Sequence, residues 1–224
     1  MSTELDHLVV AAASLEAGAR WCERVLGVTP LPGGEHPLMG THNLLLPIST
    51  PRFPRTFLEI IAINPAAPDP GRIRWFDLDD APLRASLARG PRLVHFAART
   101  GDGAATVASL KDLGIDRGPL IAARRATPAG MLHWQISVRE DGQRLFDGVL
   151  PTLIEWDGPH PADAMPEPVV GLRSLRASHP QAALLQQAFR SIGLGDVDVR
   201  AGGAELVAEL ATPSGRVTLH SAVA

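Results

Sequence analysis

The feature that most constrains this chain is a threefold recurrence of one pattern: a β-like run, an amphipathic helix closed by glycine, then further β-like runs. Self-similarity at a period of several tens of residues fixes architecture before any single motif is interpreted. The first copy opens with Leu5-Asp6-His7-Leu8-Val9-Val10 and enters a helix at Ser14, an N-cap residue type. Leu15, Ala19, Cys22 and Leu26 share one helical face, and Gly27 stands where a C-terminal cap belongs. Strands are expected around Val28 to Leu31, Asn43 to Pro47 and Thr56 to Ile63.

The second copy opens with Leu93-Val94-His95-Phe96-Ala97-Ala98, turns at Gly101 to Gly103 and continues as a helix ending before Gly114. Its strands are expected near Pro119 to Ala123, Leu132 to Val138 and Val149 to Trp156. The third opens at Leu172-Arg173-Ser174-Leu175, with Pro180 as first helical residue and Gly193 as stop. Strands near Val197 to Arg200, Ala204 to Leu210 and Arg216 to Ser221 complete it. The segments Pro65 to Gly90 and Asp157 to Pro168, rich in Pro, Gly and Asp, read as linkers and covering loops. The chain is therefore α+β and built from repeated βαβββ modules. Residues 1–165 form a paired unit (modules 4–64 and 92–157), and 166–224 a third, degenerate module.

Composition narrows the function classes. With 45% hydrophobic and 20% charged residues over 224 positions, the chain can bury a core. A net charge of -3 argues against a nucleic-acid surface. A lone Cys22 excludes an internal disulfide framework and fits a reducing compartment. No apolar stretch has signal-peptide or membrane-helix character, so a cytoplasmic protein without a membrane partner is expected. No Gly-rich phosphate loop, nucleophile elbow, CxxC pair or HExxH helix occurs.

The run Leu5 to Val10 followed by Trp21-Cys22-Glu23-Arg24-Val25-Leu26-Gly27, with Phe57-Leu58-Glu59-Ile60-Ile61 further on, resembles the opening module of glyoxalase I and its relatives in the vicinal oxygen chelate superfamily. Met39-Gly40-Thr41-His42-Asn43, Arg74-Trp75-Phe76 and Leu153-Ile154-Glu155-Trp156-Asp157-Gly158-Pro159-His160-Pro161 resemble a glyoxalase-like subgroup. The resemblance implies a cupped mixed sheet with helices outside. It also implies a divalent metal ion (Zn, Ni, Mn or Fe) held by one ligand from the first and one from the last strand of each module. His7, Glu59, His95 and Glu155 fill those four places, with Glu59 or Glu155 as catalytic base. Within the third copy, Ser174 and His220 stand at the matching positions and read as a degenerate site.

His42, Trp75, Trp134 and Arg125 are candidate substrate contacts, His42 by resemblance, the Trp residues as pocket walls, and Arg125 as a bidentate anion partner. Each has a plainer reading: a turn residue, core aromatics, a solvated arginine. His7 and His95 could equally hydrogen-bond within the sheet, and Glu59 and Glu155 could pair with arginine. Two functions follow. One is a metal-dependent isomerase or lyase acting on a small molecule with vicinal oxygens, the extradiol dioxygenases of the superfamily offering a variant chemistry. The other is a non-catalytic module that sequesters a small ligand. The third module pairs either within a homodimer or with an edge of the first two.

Overall fold

The computed structural model describes residues 2–127 and 130–222. An eight-stranded sheet has the order β2-β3-β4-β1-β5-β8-β7-β6. It joins two modules through the antiparallel pair β1 (Thr3–Ala11) and β5 (Arg92–Thr100). In the first module, helix α1 (Leu15–Leu26) connects β1 to the meander β2 (Leu31–His36), β3 (Thr41–Pro47) and β4 (Phe57–Ile63), and β4 returns parallel to β1. In the second, α3 (Gly103–Lys111) leads to β6 (Leu120–Thr127), β7 (Gly130–Ser137) and β8 (Thr152–Asp157), with β8 parallel to β5. The outer strands β2 and β6 approach each other, so the sheet nearly closes into a cup.

Local chemistry explains the elements. The Ser14 side chain accepts from the Ala17 N–H, and Gly27 takes a left-handed conformation (φ 74°) at the other end of α1. Trp21, Cys22 and Leu26 face the sheet. Strand β2 starts at Leu31 rather than Val28 because Thr29-Pro30 delays pairing. It tolerates Pro32 and two glycines because it is an edge strand with an irregular register between Pro32 and Glu35. Strand β8 begins at Thr152, since Leu145–Gly148 forms a 3-10 turn that takes Val149 out of the expected strand.

Two layers of core result. Leu8, Val10, Leu58, Ile60 and Phe96 point outward to the helices, whereas Val9, Ala11, Ile61, Trp134 and Ile154 line the cup. The segment expected to be a linker, 65–90, contains a 3-10 turn at Trp75–Asp77 and helix α2 (Ala81–Leu87). Trp75, Phe76, Leu78, Leu83 and Leu87 insert into the cup layer and close one side of it.

The third unit has β9 (Gly171–His179), α4 (Ala182–Ile192), β10 (Val197–Ala201), β11 (Glu205–Thr212) and β12 (Gly215–His220), in sheet order β10-β9-β11-β12. Its element order matches the modules, but its pairing does not: β9 is flanked by β10 and β11, whereas β1 has the last strand of its module as neighbour. Pro180 sits in the turn before α4. Phe189 of α4 meets Phe96 edge-on at 6.3 Å, so this unit packs on the helix side of the barrel. Among the described residues, no helix is long and apolar enough to cross a membrane.

Candidate active site

Two matching β-bulges set the polar wall of the cup. In the β1–β5 ladder, Leu5 faces Ala98 and His7 faces Ala97, so Asp6 is the extra residue; Val9 faces His95 and Val10 faces Leu93, so Val94 is the extra residue on the other strand. The two-fold relation between modules thus equates His7 with His95 and Asp6 with Val94. Only the first module has a carboxylate at the bulge.

Asp6 is fully buried and takes three donors. One oxygen lies 2.5 Å from His7 Nδ1, and the other accepts from Trp156 Nε1 at 2.9 Å and His160 Nε2 at 3.0 Å. Burial alone raises its pKa, yet the hydrogen bonds and charges of His160 and His7 outweigh burial and hold the carboxyl well below its usual range. For His7 burial works downward, but Asp6 and the charge of Glu59 win, and its pKa is raised. His7 Nε2 then faces Glu59 Oε2 at 3.7 Å. The other Glu59 oxygen accepts from Asn43 Nδ2 at 2.6 Å. Asn43 Oδ1 in turn accepts from Arg125 Nη1 at 2.9 Å and from the Gly34 N–H.

His7, Glu59, Asn43 and Arg125 line a cavity of about 40 Å³ together with His36, Trp75, Phe76, Trp134 and Trp156. Arg125 reaches it across the seam between β2 and β6, over Gly34, where a Cβ would come within 2.5 Å of Arg125 Cδ. Arg125 Nε and Trp75 Nε1 are buried N–H donors with no partner. His36 is kept neutral, its pKa pushed down to about 4 by burial and, among nearby charges, by Arg125, against the pull of Glu59.

Five predicted residues, His7, Glu59, Trp75, Trp134 and Arg125, line this cavity. His42 does not join them. It alternates with the cup-facing Asn43, and its nearest charges are Glu16 of α1 and Glu35, so Asn43 is the strand residue the site uses. Glu155 is likewise turned away: its carboxylate accepts from the Gly103 N–H at the start of α3, on the helix side. The register explains this. Val9 pairs with Glu59 and Ala97 with Thr152, so Thr152 stands where Glu59 stands, and Glu155, an odd number of residues further, faces the opposite side.

His95 lies in the sheet under Phe76 with both ring nitrogens committed. Nε2 accepts from the Thr152 N–H at 3.1 Å, which leaves Nδ1–H to donate to Gly148 O at 2.8 Å. Arg117, buried and still cationic although burial pulls its pKa down to about 10, crowds the same nitrogen at 3.4 Å. Burial and Arg117 push the His95 pKa well below the usual value. The set of His7, Glu59, His95 and Glu155 is therefore not assembled as a metal shell. One carboxylate is on the wrong face and one imidazole has no free lone pair, so the donor set does not fit the four-ligand ion that the resemblance implies. Asp6, His160, Asn43 and Arg117 were the residues sequence reasoning missed as participants. Asp6 sat in plain view beside His7, and only the bulge turns it to the same wall.

The paired four-strand modules, the first-strand His, the last-strand Glu and a cavity between them are a family pattern. A family model described as a glyoxalase-like domain matches residues 5–193. The chain belongs to the glyoxalase-like domain family, in the vicinal oxygen chelate superfamily.

A solved structure shares the fold. A hypothetical protein from Staphylococcus aureus is 13% identical over 98% of this chain and 85% of that one, with a TM-score of 0.61. That coverage includes the third unit. The methylmalonyl-CoA epimerase of Streptomyces coelicolor in complex with 2-nitronate-propionyl-CoA is 17% identical, over 71% of this chain and all (100%) of that one, at a TM-score of 0.43. The methylmalonyl-CoA epimerase from Mycobacterium tuberculosis is 19% identical, over 72% and 92%, at 0.39. No curated protein matches this glyoxalase-like chain.

Proposed function

We propose that this glyoxalase-like protein is an isomerase-type enzyme that moves a proton on a small carbonyl compound inside the cup, with Glu59 as the base. The observation that carries the reading is the placement of Glu59. One of its oxygens is fixed by Asn43, and the other faces the cavity beside His7 and within reach of a buried arginine's field. A buried carboxylate held by a neutral amide, next to an imidazole that an aspartate keeps basic, can take a proton and pass it on.

In the proposed step Glu59 removes the proton from the carbon next to a carbonyl group. The electron pair of that C–H bond forms the C–C double bond of an enolate and moves the carbonyl electrons onto oxygen. Trp75 lines the cavity with its buried N–H unpartnered, and that donor stabilises the charge. Return of the proton to the other face of the same carbon, from Glu59 or through His7, completes an isomerisation with no oxidant or reductant. The separation of 3.7 Å between His7 and Glu59 is of the kind that tightens when a ligand fills a site.

The donor set does not carry a step through a divalent ion. The test is solvent-deuterium incorporation at the enolisable carbon of a panel of 2-oxo acids and ketones, followed by NMR. Catalysed exchange lost in Glu59→Gln supports the enzyme reading. Ligand binding without exchange in the wild type makes the chain a sequestering protein.

A further inference from the structure

We infer that the ligand of this site is a carboxylate with an extended apolar chain, its head inside the cup and its chain in a groove outside. The inference rests on the cup being the reaction site, and it adds the chemical class of what enters.

The head group follows from Arg125. The residue is more than nine-tenths buried, and its hydrogen bond is to the neutral amide oxygen of Asn43. No carboxylate lies within ion-pair distance of it among the described residues, although Arg55, Arg74, Arg99, Arg139, Arg144 and Arg200 all have such partners. A buried cation with no carboxylate in contact, only the field of Glu59 beyond Asn43, is costly, and Arg125 adds an unpartnered Nε–H. Trp75 Nε1, also buried and unpartnered, lines the same cavity. The charge and free Nε–H of Arg125 match a flat, singly charged carboxylate, Trp75 Nε1 is left for an oxygen on the adjoining carbon, and a cavity of about 40 Å³ admits that head.

The chain follows from what adjoins Arg125. A second space of about 460 Å³ shares Arg125, Leu45 and Pro161 with the inner cavity. Leu31, Met131, Leu132 and Met165 give it apolar walls. Met131 is among the few large apolar side chains left exposed (45%), and it is exposed at this groove. Another groove, at His36, Leu38 and His133, lies across the β2–β6 seam and does not include Arg125. A chain leaving a head bound at Arg125 therefore runs toward Met131 rather than toward Leu38.

Calorimetric titration with octanoate, acetate and octylamine tests this directly, alongside Met131→Glu and Leu38→Glu, two changes at exposed positions that leave the core intact. Octanoate should bind saturably, acetate about 100-fold or more weaker for want of the chain, and octylamine not at all. Met131→Glu should weaken octanoate about tenfold and Leu38→Glu should not. Absence of saturable octanoate binding, equal binding of octylamine, or unchanged affinity in Met131→Glu would overturn the inference. Glu59→Gln separates it from the reaction itself: that variant removes a negative charge from the wall of the head-group cavity, so its octanoate affinity should not fall while exchange is lost. Octanoate binding with no catalysed exchange on any carbonyl compound sinks the enzyme and leaves the ligand class standing; catalysed exchange without octanoate binding does the reverse.

Discussion

Thr152 stands in the second module where Glu59 stands in the first, because Ala97 pairs with Thr152 just as Val9 pairs with Glu59. The two halves of the barrel share a backbone plan but not a chemistry. In the first, a bulged Asp6 orients His7 toward a carboxylate. In the second, Val94 takes the bulge, Thr152 replaces the carboxylate, and Arg117 occupies the space beside His95. One half carries the proposed base and its partners, and the other seals the cup.

Glu155→Gln is therefore expected to leave ligand binding and any bound metal as in the wild type. The cost is to stability alone, about 0.5–1 kcal/mol for the loss of a negative charge at the start of α3. Chemical denaturation and elemental analysis of wild type and variant check both halves of this expectation.

Asp6→Asn strips a buried anion from His7, His160 and Trp156 at once. A loss of about 3–5 kcal/mol is expected, the range for breaking one partner out of a buried charged network. The ring of His7 also loses its orientation. Urea unfolding measures the first effect, and the histidine NMR resonances of the folded fraction report the second.

Much of this was legible from the chain, for identifiable reasons. His7 and Glu59 sit in long apolar runs, where an ionisable residue costs enough to need a purpose, and those runs set the strands. The helix ends were legible because Ser14, Gly27 and Gly193 do there what only such residues do well. Glu155 misled because spacing along a sequence does not reveal register. The 3-10 turn at Leu145–Gly148 delays β8, and a shift by an odd number of residues reverses the face. The third unit misled because element order does not specify pairing. The plug formed by Trp75 and Phe76 was hidden in a stretch whose Pro and Gly content read as linker.

Gly34→Ala tests the seam. Its backbone takes no left-handed conformation, so alanine costs little there locally, but the new Cβ would sit 2.5 Å from Arg125 Cδ and must displace that side chain. Thermal stability should change by less than about 1 kcal/mol, while affinity for octanoate falls about tenfold or more. Unchanged affinity would mean that Arg125 need not cross the seam at this point.

Acid sensitivity should come from two buried neutral histidines, His95 and, in a defined pH window, His36. The His36 ring titrates near 6.5 when unfolded and at about 4 when folded, facing Glu59, Arg125, His7 and His42. Its neutral form is the one the fold accommodates, so its contribution is complete above pH 6.5 and is lost as pH falls toward 4, by about 3 kcal/mol in all. His95 acts in the same direction, and the raised pKa of His7 acts in the opposite one. The depressed Asp6 contributes a loss only below its unfolded value of 3.8. Urea midpoints at about pH 7.5 and about pH 5 should differ less in His36→Gln than in wild type.

Phe189→Ala addresses the third unit. Phe189 is buried edge-on against Phe96, so its removal should cost about 3–5 kcal/mol and lower the stability of the barrel with it. A single unfolding transition by calorimetry, shifted down, is expected; two separated transitions would show that the unit and the barrel unfold independently.

The central claim is that Glu59 transfers a proton inside the cup, and deuterium incorporation at C3 of 2-oxooctanoate, followed by NMR in heavy water, tests it most directly. The account predicts exchange accelerated by the wild type and reduced about 100-fold or more in Glu59→Gln, with octanoate affinity retained in the variant. Exchange that persists undiminished in Glu59→Gln would contradict it.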